Sequence, residues 1–208
     1  MKELPLFPLN LVAFPSESIN LHIFEPRYKQ LINDCLEKEM NFGIPSYVRN
    51  KIELGTEVEI TEVTKRYPDG RLDIKTRGLN VFKVLNYENP WKDRLYAGGM
   101  VSYVEQDMEY DFSKLFEFKE LVGSLMNWLD EEGVIDPSNI KSVFDIGHKI
   151  GFKLDEEYTL IEFTSEEDRL VYAVEHLTNL IPALERAKNA QDRIRQNGHF
   201  KHLDPLRF

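Results

Sequence analysis

Few residues in this chain have a type and spacing that could do chemistry. Cys35 is the single cysteine, and the histidines are His22, His148, His176, His199 and His202. A thiol is a nucleophile only as its thiolate, and a base such as His22 would have to lie within hydrogen-bond reach. At helical spacing with Leu31 and Ile32, Cys35 instead reads as a small buried helix residue. His199-x-x-His202 is the one close histidine pair, and we expect surface histidines there rather than a metal. Acidic clusters at 105–111, 130–132 and 155–157 hold carboxylates that could pair for acid–base work. As sequence they read as solvated faces and helix caps. There is no G-x-x-x-x-G-K-[ST] loop, G-x-G-x-x-G turn, H-E-x-x-H or G-x-S-x-G elbow. The expectation is therefore no catalytic residue, no cofactor and no metal. Tyr67, Trp91, Tyr96, Tyr103 and Tyr110 fall in or near loops, where aromatics either pack a barrel or bind a partner.

The elements that must position these residues begin with a strongly apolar stretch. Leu4, Leu6 and Leu9 are apolar, but Pro5 and Pro8 lack amide hydrogens, so this strand belongs at a sheet edge or barrel seam. Ile19, Leu21 and Ile23 form one face of a strand. Pro26 fits a first helical turn, followed by Tyr28, Leu31, Ile32, Cys35 and Leu36 at helical spacing. Between Thr56 and Tyr87 the period is two, with a bulge expected near Thr61, a turn at Pro68-Asp69-Gly70 and a bulge or corner at Gly78. With a strand over Leu95–Val104 this makes about six strands, enough to close a small barrel.

From Ser113 the period becomes helical. Leu115, Phe118, Val122, Leu125 and Leu129 form one stripe, widened by Phe116, Leu121, Met126 and Trp128, and Gly133 should end the helix. A second helix is expected from Pro137 through Ile146, and a short third one, capped by Asp155, over Glu156 to Phe163. Thr164 and Glu167 have capping-box spacing, as do Ser165 and Asp168, before a long stripe of Leu170, Val174, Leu177, Ile181 and Leu184. Pro182 inside that stripe should kink or end the helix.

The charge is unevenly placed. The formal net charge is −10; residues 1–104 carry 14 basic and 14 acidic side chains, and residues 105–208 carry 12 and 22. This split implies two different surfaces, and a nucleic-acid groove, which needs a basic face, is disfavoured. One cysteine allows no internal disulfide. No basic run precedes an apolar stretch at the start, and Pro5, Pro8 and Pro15 interrupt the first apolar residues, so no signal peptide is expected. No apolar run is long enough to span a membrane. A reducing, cytoplasmic setting is expected.

Leu4-Pro5-Leu6-Phe7-Pro8-Leu9, Val12-Ala13-Phe14-Pro15, Leu21-His22-Ile23-Phe24-Glu25-Pro26-Arg27-Tyr28, Cys35-Leu36 and Phe42-Gly43-Ile44 closely resemble the amino-terminal substrate-binding domain of the Lon protease family. The likeness continues through Gly55-Thr56 to Gly78, and returns at Asp168-Arg169-Leu170, which sits like the element opening the family's last helix. Two positions depart: the family usually has glycine where Ser16 stands, and Pro182 is unusual. The resemblance is to the stand-alone form, without ATPase and protease modules. It implies an α+β fold, a PUA-like six-stranded pseudo-β-barrel with a capping helix followed by a C-terminal α-helical bundle. The barrel would span 1–110 and the helices 111–197, with a flexible tail at 198–208. It also implies a non-catalytic module that binds an unfolded protein or peptide segment, in association with a protease or chaperone. An RNA-binding PUA-like protein and a structural or adaptor subunit are the alternatives. On this reading a partner's apolar segment rests in a groove between barrel and helices. Phe14, Phe24, Tyr67 and Trp91 would form its rim, with Arg27 as a hydrogen-bonding anchor.

Overall fold

The computed structural model describes residues 1–48, 50–129 and 135–198. Six strands form one mixed sheet: β1 (Lys2–Leu6), β2 (Ser18–Ile23), β3 (Phe42–Val48), β4 (Lys51–Arg66), β5 (Leu72–Glu88) and β6 (Ala97–Tyr103). They are ordered β2-β5-β4-β3-β1-β6, and β6 also pairs with β5. That pairing turns five of the strands into a closed hydrogen-bonded circuit, and β2 adds to it through β5 alone. Closure removes the free edges of those five, which would otherwise recruit other chains, and β2 keeps one edge unpaired among the described residues. β1 lies at the seam. It is antiparallel to β6 along its length, but touches β3 in parallel only at Leu6–Gly43. Pro5, with no amide to donate, sits where pairing on one side is this sparse.

β5 is long enough to serve two partners. Its first part pairs with β2, and its second with β6, on either side of Gly78. Register shifts between Thr56 and Val58 and between Ile60 and Glu62 accommodate the bend, at Gly78 and near Thr61 as the phase breaks in the sequence foretell. Gly78 has a further cause. A Cβ there would lie 2.0 Å from the Phe14 carbonyl oxygen. The Phe14–Glu17 turn docks on this glycine: Ser16 N–H donates to the Gly78 carbonyl, and Gly78 N–H donates to that of Glu17, both at 2.9 Å. Ser16 itself is left-handed, φ 64°. A glycine at this position would carry no such strain.

Helix α1 (Pro26–Lys38) starts with Pro26 and buries Tyr28, Leu31, Ile32 and Cys35. They share one core with Ile23, Phe42, Ile44, Val58, Leu72 and Ile74, so the helix packs on the sheet's apolar face. A second core joins the sheet to the helices: Val12, Phe14, Val48 and Val81 pack with Phe118, Val122, Phe144, Leu160 and Leu177.

Helix α2 (Phe112–Trp128) buries Leu115, Phe118, Val122, Leu125 and Met126. Phe116, expected to widen the buried stripe, is 65% exposed, and Leu129 is also exposed. Gly133, the expected stop, lies outside the described residues. The helix expected from Pro137 to Ile146 is instead two separate 3₁₀ turns, Pro137–Asn139 and Val143–Asp145, followed by a third at Gly147–Lys149. Ser142 and Asp145 close a reciprocal capping box around the middle turn, which holds the chain in short turns. Helix α3 (Leu154–Glu162) is preceded by Lys153 at the cap, so Asp155 stands inside its first turn rather than before it. Helix α4 (Glu166–Gly198) does not end at Pro182. Pro182 and Thr178 are both exposed, so water can satisfy the Thr178 carbonyl that loses its donor. Of the expected tail, only Gly198 is described, as the last residue of α4.

The Phe14–Glu17 turn yields two substitutions of opposite sign. Ser16→Gly relieves a left-handed serine at the cost of unfolded-chain entropy. We expect a net gain of about 0.5–1 kcal/mol, or roughly 1–4 °C in Tm. Gly78→Ala should cost about 1–3 kcal/mol or more, because backbone must shift. Thermal melting of both variants checks the pair.

Candidate functional site

The sheet and the helices meet along a seam held by a buried arginine. Arg169 is fully buried on α4. Its Nε donates to Glu166 Oε2 at 2.7 Å. Its Nη1 donates to Gln106 Oε1 and to the Phe163 carbonyl, both at 2.8 Å. The guanidinium lies 4.4 Å from the Phe144 ring centre. Glu166, equally buried, accepts from Val143 N–H at 2.7 Å and from Ser142 Oγ at 3.0 Å. One ion pair therefore ties the strand leaving the sheet, the middle 3₁₀ turn and the start of α4 together. Backbone bonds from Asp107 to Thr164 and from Glu166 to Asp107 reinforce it. Because Arg169 claims the Gln106 oxygen, the amide cannot flip. Its buried Nε2 has no acceptor among the described residues, a deficit of about 1–3 kcal/mol if nothing fills it.

A second tie crosses the same seam. His148 stacks on Phe14 at 4.4 Å between ring centres. Its Nδ1 lies 2.7 Å from Glu157 Oε1 and its Nε2 3.2 Å from Glu17 Oε2. Glu17 also accepts from Phe14 N–H at 2.9 Å. Burial opposes charge on the imidazole, but the carboxylates of Glu17 and Glu157 outweigh it and raise the pKa to about 9. His148 is thus an imidazolium at neutral pH, with both nitrogens donating. The two carboxylates converge on that cation and are engaged by it.

Between the two ties lies a cleft of about 510 Å³. The sheet side contributes Leu79, Asn80, Val81 and Tyr103 to Gln106; the other side contributes Ser142, Phe144 and Asp145. A smaller cleft of about 330 Å³ adjoins it, sharing Pro15, Ser16, Phe144 and Asp145 and reaching His148. Behind the sheet wall sits buried Glu57. Lys2 Nζ lies 2.8 Å from its Oε1, and Asn41 and Asn80 donate to it at 3.1 and 3.2 Å. Burial pushes this carboxyl up, but hydrogen bonds from Lys2, Asn41, Tyr103 and Asn80 prevail and hold it below the usual range. Two of those donors, Asn80 and Tyr103, are cleft-wall residues.

The residues suggested by sequence are not all brought together. Phe14 is 0% exposed and lies in the core, so it cannot form a rim. Its ring fills the seam between Phe144 and His148. Phe24, 59% exposed, and Tyr67 flank His22, at 6.0 and 5.8 Å between ring centres. His22 and Tyr67 both bind Asp73, at 2.5 and 2.8 Å. Arg27 pairs with Glu25 at 2.9 Å and covers the Tyr28 ring. Trp91 packs over Gly98 and beside Tyr96. Cys35 is buried, and burial first, then Asp34, pushes its thiol up to about 12, far from a reactive thiolate. His22, its conceivable base, is engaged with Asp73. No cluster of three metal-ligating side chains occurs among the described residues, and His199 and His202 lie outside them.

Sequence reasoning missed Glu17, Glu57, His148 and Glu157. Glu57 looks like the polar side of an alternating strand, and Glu157 like part of a solvated cluster. Their partners are 131, 55 and nine positions away along the chain, so no local spacing marks them. Arg169 was marked only through the family likeness.

Comparison with known proteins agrees with this architecture. Residues 3–181 match the family model for the ATP-dependent protease La (LON) substrate-binding domain. Among solved structures, a Lon N-terminal domain protein from Xanthomonas campestris is 25% identical with a TM-score of 0.64, covering 82% of this chain and 95% of that one. The N-terminal domain of the Mycobacterium avium complex Lon protease is 13% identical with a TM-score of 0.71, covering 86% and 100%. This second likeness is one of fold.

The two ties make two outcomes testable. Removing Arg169 strands Glu166 as a buried, uncompensated charge, so Arg169→Ala should cost about 3–5 kcal/mol in denaturant unfolding. His148 gains its proton affinity on folding, from 6.5 to about 9. Its contribution is complete below pH 6.5 and fades as pH rises to about 9. Melting temperature should fall across that window in the wild type, and fall less in His148→Gln.

Proposed function

The chain belongs to the ATP-dependent protease La (LON) substrate-binding domain family, a non-catalytic substrate-recognition module, and from that premise we propose that it captures exposed apolar segments of unfolded protein clients in the seam cleft. The sheet-built part, 1–110, and the helical part, 111–197, act as the two jaws. We read the closed strand circuit as the PUA-like pseudo-barrel and the helices as the bundle that completes the groove.

The observation that carries this reading is the cleft itself. It is roomy, its wall includes Leu79, Val81, Val104, Met108 and Phe144, and both banks are pinned by buried polar networks. A preformed apolar cleft needs little reordering when a segment enters, so more of the burial energy appears as affinity. The occupant would be short, a few side chains, with affinity of about micromolar. Handing the client on to a protease or chaperone, in the cytoplasm, completes the proposal. RNA is a poor occupant, because no lysine, arginine or histidine lines the cleft. None of the described helices is long and apolar enough to cross a membrane.

The aromatic pair Phe24 and Tyr67, with Arg27 and Trp91 elsewhere on the surface, is the competing place for a partner. Fluorescence titration with a labelled, permanently unfolded polypeptide decides between them. Leu79→Ala combined with Met108→Ala, checked by thermal melting because Met108 Sδ also accepts from Arg169 Nη2 at 3.8 Å, should weaken binding by about 1–3 kcal/mol, while Phe24→Ala leaves it unchanged. The reverse pattern moves the site to the aromatic pair, and absence of binding to the wild type sinks the reading.

A further inference from the structure

Resting on segment capture by the seam cleft, we propose that the cleft selects segments in which an apolar side chain is flanked by lysine or arginine. Its lining carries two carboxylates, Glu105 and Asp145, and no cationic side chain. They stand on opposite banks, one on the sheet exit and one on the middle 3₁₀ turn. Glu105 is exposed and enters no ion pair among the described residues. Asp145 has its carboxylate oriented by the N–H groups of Lys141 and Ser142, which donate to Oδ2 at 2.8 and 3.0 Å. The cations behind the wall are already engaged, Lys2 by Glu57 at 2.8 Å and Arg169 by Glu166 at 2.7 Å. The cleft therefore joins an apolar floor to a negative mouth, and the whole chain from 105 onward carries 22 acidic against 12 basic residues.

The chemistry of a basic residue matches that layout. A lysine or arginine lays its aliphatic stem along apolar surface and keeps its charged head in water. Tyr103 and Met108, both part-exposed in the wall, offer that surface, with Glu105 within the same wall segment. The thioether of Met108 accepts from Arg169 Nη2 at 3.8 Å, which fixes this part of the wall. An acidic flank would meet two carboxylates and be rejected.

The experiment uses the whole chain and short fluorescein-labelled peptides sharing a Phe-Leu centre, with flanks of lysine, serine or glutamate. Anisotropy titrations at low salt should rank lysine over serine over glutamate, with about tenfold between the extremes. The gap should shrink as salt is added. Glu105→Lys, an exposed change checked by thermal melting, should erase the preference for lysine without abolishing binding of the serine-flanked peptide. Equal binding of all three peptides, with loss in Leu79→Ala/Met108→Ala, overturns charge selection and leaves segment capture standing. A lysine preference that Glu105→Lys does not change overturns the assignment to this mouth. No binding of any peptide, or binding indifferent to the Leu79→Ala/Met108→Ala change, overturns segment capture and the inference with it.

Discussion

A guanidinium with no access to water decides how the two parts of this chain meet. Taking Arg169 and Glu166 out of solvent costs several kcal/mol for each ion, and their attraction repays that only if every remaining donor and acceptor is used. Here nearly all are. The arginine reaches Glu166, Gln106 and the Phe163 carbonyl, and the glutamate reaches Ser142 and Val143. Such a pair adds little net stability over an apolar replacement of the same volume. What it adds is geometry. The hydrogen bonds run to three separate stretches of chain, so only one relative placement of strand exit, 3₁₀ turn and α4 satisfies them all. The ties at His148 and at Gly78 act on the same seam from its other end.

The elements were more legible than the seam. The alternation of Ile19, Leu21 and Ile23, the proline-started α1, the Pro68-Asp69-Gly70 turn and the phase breaks at Thr61 and Gly78 are local signals, and local signals survive in sequence. The signals that failed were those where tertiary contact overrode local pattern. Pro137 to Ile146 has helical spacing, yet the Ser142–Asp145 box and the Glu166 carboxylate take its backbone amides and leave only short turns. Pro182 breaks a hydrogen bond, but on a water-facing side where the loss is small. Phe14, an aromatic beside a proline turn, looks like a loop anchor; it is drawn into the core because Gly78 allows the turn's backbone to approach the sheet. The candidate cleft was foreseen only as a place, between barrel and helices. Its residues come from positions about 15, 80, 105 and 145, and no periodicity links stretches so far apart.

The seam also explains why an open cleft persists in a structure otherwise closed on itself. A gap between two apolar banks normally collapses, because filling it recovers dispersion contacts. Collapse here would require one bank to move, and each is tied to a buried polar network. Asn80 and Tyr103 are held from behind by Glu57, itself fixed by Lys2 and Asn41. Ser142 and Phe144 are held by Glu166 and Arg169. Moving either bank would leave a buried charge with broken hydrogen bonds, which costs more than the gap does. The buried polar groups thus act as spacers as well as ties. They keep the apolar wall of Leu79, Val81 and Phe144 apart from its neighbours as an open cleft of about 510 Å³.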